Sequence, residues 1–181
     1  MLRILFKKNG HSEMIREMLL EEHSRHQCFR ITQHIGNNKT KFRALIKLFC
    51  SDEKMLVQRA AWPVSNCIEK YPELIEPYWN ELMSRLETPA LHPAVYPNIS
   101  RLLHFVPIPE IYHGRIMTIC FEYISDPESA IATKVSSLTV MHQLSKVYPD
   151  IIPELKLIIE ERMNTETAAF RSRGKKILKS L

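Results

Sequence analysis

The chain has 181 residues, 45% of them hydrophobic, with four glycines, eleven prolines and a net charge of +5. This length fits one domain or a short repeat array, and so few glycines argue against a sheet protein and against a glycine-rich phosphate loop. No segment reaches the ~18 consecutive apolar residues of a membrane span, and the apolar run in Met1–Phe6 is too short for a secretion signal, so a cytoplasmic location is expected.

Residues 1–11 are expected as an N-terminal arm, with 1–10 either extended or a helical lead-in, and 12–181 as a single domain. Ser12 is the expected N-cap of the first helix, with Glu13 in the turn where the helix dipole favours an acid. Met14, Ile15, Met18 and Leu19 give its apolar stripe. The pattern weakens through Glu21–His26, resumes at Cys28, Ile31 and Ile35, and stops at Gly36. Residues 12–35 therefore read as one long helix or as two. Thr40–Cys50 forms the next helix, with Phe42, Leu45, Ile46 and Phe49 as its core face. Asp52 is the expected cap of the helix that follows, which carries Met55, Leu56, Ala60, Ala61, Val64, Cys67 and Ile68 to Lys70. Pro63 inside it should kink or split it, because proline lacks an N–H and crowds the carbonyl four residues back.

Tyr71-Pro72-Glu73-Leu74-Ile75-Glu76-Pro77 then breaks the helical pattern and opens another run, from Leu74 through Tyr78, Trp79, Leu82, Met83 and Leu86 to a stop at Thr88-Pro89. A helix from Pro93 to Phe105 leads to a weaker version of the same break at Pro109-Glu110-Ile111. The next helix carries Ile111, Ile116, Ile119, Cys120, Tyr123 and Ile124. Asp126-Pro127-Glu128 reads as a helix start, continued by Ile131, Val135, Leu138, Met141 and Leu144. The break recurs at Tyr148-Pro149-Asp150-Ile151. Ile151–Met163 follows, and Thr165 is the expected cap of a final basic helix.

The three breaks are elbows between helices. Their prolines, Pro72, Pro109 and Pro149, are 37 and 40 residues apart. Two helices per period of roughly 40 residues resemble the HEAT and armadillo repeats. Asp52, Val57, Arg59, Ala60 and Ala61 are similar to the first-helix pattern of a HEAT repeat, and Asp126 with Val135–Leu138 is a degraded version of it. The resemblance covers residues 24–163. It implies an all-α fold, an α-α superhelix or HEAT-like solenoid of about four helix pairs with a C-terminal capping helix. An irregular all-α bundle is the competing arrangement.

The residues carry no recognisable catalytic or cofactor motif. His23 and His26 share a helix face, but no third or fourth ligand at firm spacing completes a metal site. His92, His104, His113 and His142 lie in different helices. Cys28, Cys50, Cys67 and Cys120 are widely spaced among apolar neighbours and read as buried free thiols. There is no G-x-S-x-G, no G-x-G-x-x-G and no Walker lysine. Trp62 and Trp79 read as core fillers.

Charge is the remaining signal. Residues 1–50 carry ten Lys/Arg against four Asp/Glu, 51–165 carry ten against fifteen, and 166–181 carry five against one. The candidate interaction surface comprises the basic run Lys39, Lys41, Arg43 and Lys47, the basic end Arg171, Arg173, Lys175 and Lys176, and the acids Glu73, Glu76 and Glu81. The expected function is a non-catalytic scaffold, without cofactor, membrane or small-molecule substrate, that binds a protein or a second copy of itself. The alternative is nucleic-acid binding through the basic ends, with the HEAT-like alkylpurine DNA glycosylases as the related enzyme class. Against it, the segments 73–87, 110–124 and 150–163, expected to line a concave surface, each hold more acid than base and would repel phosphate.

Overall fold

The computed structural model of the chain describes residues 2–87 and 95–181. Every regular element among them is helical. The chain forms two compact units, residues 1–106 and 107–181.

The first unit begins with α1 (Leu2–Glu21) and α2 (Arg25–Ile35). Of the two readings of residues 1–10, the backbone takes the helical lead-in. The helix therefore runs through Ser12, which caps nothing. The cap lies at Ser24, whose Oγ accepts the Gln27 N–H at 3.1 Å and so splits the 12–35 stretch into two helices. Buried Gln27 ties the break together by donating from Nε2 to the Met18 carbonyl at 2.5 Å. Gly36 closes α2 at φ 52°, a conformation costly for any residue with a Cβ.

Next come α3 (Lys39–Phe49), capped by the Asn38 carboxamide oxygen, and α4 (Lys54–Lys70). The cap of α4 is Glu53 rather than Asp52, and the Glu53 carboxylate is occupied by Arg16 at 2.7 Å. Pro63 does not split α4. It is buried, and packing of α4 against α3 and α2 holds the turn it weakens. Arg59 of α4 donates to the Leu19 and Leu20 carbonyls at 3.0 and 2.9 Å, satisfying acceptors that the end of α1 leaves open.

A seven-residue 3-10 turn, Pro72–Tyr78, leads into α5 (Trp79–Leu86), and α6 (Val95–Leu102) completes the unit. The expected stop at Thr88-Pro89, the helix start at Pro93, and His92 lie outside the described residues. α1, α3 and the 3-10 turn pack in one row, and α2, α4 and α6 in another. Between the rows lie Phe42, Leu45, Leu56, Ile68, Leu74 and Ile75, all fully buried.

The second unit contains α7 (His113–Ser125), α8 (Ile131–Leu144), α9 (Ile152–Arg162) and α10 (Ala168–Leu178). α7 packs on α8, α8 on α10, and α10 on α9. Here too each elbow is a short 3-10 turn, Glu110–Tyr112 before α7 and Pro149–Ile151 before α9. α8 starts five residues after Asp126. The Asp126 carboxylate instead accepts the Glu128 N–H and the Ser129 hydroxyl, both at 2.9 Å, which makes a turn that ends α7. Likewise α10 starts behind Thr167, not Thr165. Ile111 is 80% exposed although its spacing suggested a core residue. In the three-residue period of a 3-10 turn, Tyr112 faces inward and Ile111 outward. Met55 and Ile131, in the first turns of α4 and α8, are also exposed.

Two polar arrangements hold the second unit. His113 Nε2 is 2.7 Å from the Ile108 carbonyl and His113 Nδ1 is 3.0 Å from the Tyr148 hydroxyl. A carbonyl only accepts, so Nε2 carries the proton, and in the neutral ring Nδ1 accepts from Tyr148. The tyrosine of the third elbow thus fastens the second. The other arrangement is a buried ion cluster. Glu166 Oε1 accepts from Lys134 at 2.7 Å and from Arg162 at 2.6 Å, and Lys134 also donates to the Pro127 carbonyl. Burial raises the Glu166 carboxyl, but the bonds from Lys134 and Arg162 outweigh it and leave the group below its ordinary range.

Two sets of measurements check this fold. Leu82→Ala and Leu138→Ala each remove a buried side chain and should cost about 2–5 kcal/mol in denaturant unfolding; losses below about 0.5 kcal/mol at both would put the wrong faces inside. Glu166→Ala strands a buried lysine and should cost about 3–5 kcal/mol. Because the folded carboxyl is held low, its contribution is present above the ordinary glutamate value of about 4.3 and lost as pH falls below it. The stability gap between wild type and Glu166→Gln should therefore close on acidification through that range.

Candidate interaction groove

α2 and α4 each contribute a similarly spaced stripe of side chains to one surface groove, with Thr32 nearly covered and the others exposed or half-buried. On α2 the stripe is Arg25, Phe29, Thr32 and Gln33, and on α4 it is Trp62, Asn66, Glu69 and Lys70. Both have the spacing i, i+4, i+7, i+8, which keeps residues on one helix face. With Arg101 from α6 they line an open groove of about 840 Å3.

Phe29 is 58% exposed because the buried face of α2 is taken by Gln27, Cys28, Ile31, Thr32 and Ile35, leaving the phenyl ring on the opposite side. Trp62 is only half-buried, so of the two tryptophans read as core fillers only Trp79 is one. Asn66 is fixed: Nδ2 donates to Cys28 Sγ at 3.3 Å, and Oδ1 accepts from Arg101 at 3.4 Å. Arg101 is fixed as well, ion-paired with Glu69 and lying over the Phe105 ring at 5.6 Å. Arg25 and Lys70 are exposed, and neither forms an ion pair with a carboxylate among the described residues. Helices α2, α4 and α6 together carry Arg25, Arg30, Lys54, Arg59, Lys70 and Arg101 against one acid, Glu69.

This groove does not fall where the sequence reading placed the contact surface of this unit. Of segment 73–87, the 3-10 turn packs beside α3, whereas the groove is lined from α2, α4 and α6. Its residues were missed because Trp62 read as a core filler, Phe29 drew no reading, and Arg25, Lys70 and Arg101 stand outside the basic runs. The matching stripes on α2 and α4 were the available signal.

The residues singled out earlier are placed as follows. Lys39, Arg43 and Lys47 are exposed on α3. Lys41 is engaged, since its Nζ donates to the His34 carbonyl at 2.8 Å at the end of α2. Lys39 lines a depression of about 330 Å3 with Glu73, Glu76 and Tyr78, which places one cation of the basic run near two acids of the elbow. Glu81 is exposed on α5. In the second unit Arg171, Lys175 and Lys176 are exposed on α10, Arg173 is half-buried, and Arg171 donates to the Glu166 carbonyl at 2.5 Å. His23 and His26 are both exposed, and no group of three or more His, Cys, Asp or Glu suited to a metal ion occurs among the described residues.

The four cysteines are free thiols. Burial pushes Cys28 up to about 11 and Cys67 and Cys120 up to about 12, and it also raises half-buried Cys50. Such thiols stay protonated at neutral pH and are poor nucleophiles.

Compared with models of known families, residues 15–181 match the HEAT repeat domain. No curated protein and no solved structure matches the chain.

A thiol reagent at neutral pH should modify Cys50 first in the native protein and reach Cys28, Cys67 and Cys120 only on unfolding. Rapid native labelling of any of those three would overturn the burial assigned to it.

Proposed function

The chain belongs to the HEAT repeat domain family, and we propose that it is a non-catalytic cytoplasmic scaffold that binds a protein partner in the groove of α2, α4 and α6. HEAT repeats generally serve as protein-interaction scaffolds and are typically non-catalytic. The observation that carries the proposal is the pair of aromatic side chains, Phe29 and Trp62, presented to solvent in a lined groove. An exposed phenylalanine forgoes roughly 1.5–3 kcal/mol of burial, and aromatic side chains beside arginines are the usual anchors of protein interfaces. The acids Glu73, Glu76 and Glu81 and the basic residues of α3 and α10 offer secondary contact surfaces, including contacts between two copies.

One observation favours a second reading. The six cations against one acid on α2, α4 and α6 suit a nucleic-acid backbone as well as an acidic protein. Among the described residues no helix is long and apolar enough to cross a membrane, so a membrane-spanning helical role has no support there.

Capture experiments with three baits separate these readings. Wild type and a Glu73→Lys/Glu76→Lys/Glu81→Lys variant should recover the same proteins, and a Phe29→Ala/Trp62→Ala variant should lose them. Loss on the acidic reversal alone would move the contact to the elbow and α5. Duplex DNA should show no affinity even at low ionic strength; affinity that falls steeply with salt would favour the nucleic-acid reading instead.

A further inference from the structure

We infer that the groove of α2, α4 and α6 takes an acidic peptide segment carrying an aliphatic or aromatic side chain. This rests on the protein-binding reading above and adds the chemistry of the partner.

The argument starts from which cations are free to act. Arg101 is held by Glu69, Asn66 and the Phe105 ring, so it belongs to the wall. Arg25 opens α2 and Lys70 closes α4. Both are exposed and uncommitted to any carboxylate among the described residues, with the Lys70 ammonium lying over the Tyr71 ring at 5.5 Å. The groove thus offers two separate positive points and two aromatic rings, Phe29 and Trp62, in one lining. An apolar side chain of the ligand has Phe29 and Trp62 to pack on, and flanking carboxylates have Arg25 and Lys70. Gln33, exposed in the lining, suits the amides of an extended backbone.

A nucleic acid fits this arrangement less well. Its backbone carries a charge at every step, and affinity grows with the number of phosphates neutralised. Two cations without a carboxylate partner, and the Glu69 carboxylate in the same lining, do not make a phosphate track. A peptide needs only a few acids and one anchor, which is the number of features present.

The test is selection from a random peptide display library, followed by titration of the selected peptides. Wild type should enrich sequences with Asp or Glu flanking an aliphatic or aromatic residue. Phe29→Ala should weaken their binding roughly tenfold or more, as loss of an interface anchor does, and Arg25→Glu/Lys70→Glu should abolish it. All three positions are exposed or half-buried, so thermal melts of the variants should match wild type. In a Trp79→Phe variant, Trp62 is the sole tryptophan, and its emission should shift to the blue as peptide binds.

Enrichment of basic or uncharged peptides, or equal binding by the charge-reversed variant, would overturn the inference and leave the protein-binding reading standing. Displacement of the peptide by single-stranded DNA would overturn it in favour of a nucleic-acid ligand. A wild-type dimer in sedimentation that Arg25→Glu/Lys70→Glu dissolves would make the occupant a second copy of the chain. No enrichment at all would defeat the protein-binding reading and the inference together.

Discussion

Three short hydrogen-bonded turns carry the helical rows of this protein. The Leu74 N–H donates to the Tyr71 carbonyl at 3.1 Å, the Tyr112 N–H to Pro109 at 2.9 Å and the Ile151 N–H to Tyr148 at 3.2 Å. Each bond spans three residues and closes a 3-10 turn at a proline, Pro72, Pro109 or Pro149. A proline at this place removes an N–H that has no intrahelical partner anyway, and its fixed φ suits the next helix start. The chain therefore changes direction without leaving a buried amide unsatisfied. The elbow tyrosines differ in use. Tyr148 reaches His113 and ties two elbows together, whereas Tyr71 lies under the Lys70 ammonium at 5.5 Å.

The elbows and the faces of the long helices were legible in the sequence because both depend on local chemistry. Proline after tyrosine marks the elbow, and the period of Phe42, Leu45, Ile46 and Phe49 matches the face that is fully or almost fully buried. Helix starts were less legible, because several residue types compete for one short stretch. Ser12, Asp52, Asp126 and Thr165 all have capping chemistry. The caps are Ser24, Glu53, Ala130 and Thr167 wherever a cap is assigned near them. At Asp126 the carboxylate makes a turn with Glu128 and Ser129 instead. That choice depends on where α8 packs, which local sequence does not encode.

The groove was the least legible feature. Phe29, Trp62 and Arg101 are ordinary residues until α2, α4 and α6 lie side by side. A phenylalanine in an amphipathic helix is expected inside, and only the crowding of α2's buried face by Gln27, Cys28 and Ile31 turns it outward. The same logic places Lys134 and Glu166 at the other extreme. Two residues of surface type are buried as a pair, where their bonds replace water and fix the α8–α10 packing. Charge in this protein takes two forms: Lys134 and Glu166 of the second unit are buried and hold helices, and Arg25 and Lys70 of the first are exposed, where the proposed ligand would meet them.

The most direct test of that division is photo-crosslinking in the native cell, with a photoreactive amino acid in place of Phe29 and, as a control, in place of Ile111, which is more exposed still. The account predicts discrete protein adducts from position 29 and none of them from position 111. Nucleic-acid adducts at position 29, or the same protein adducts from both positions, would contradict it.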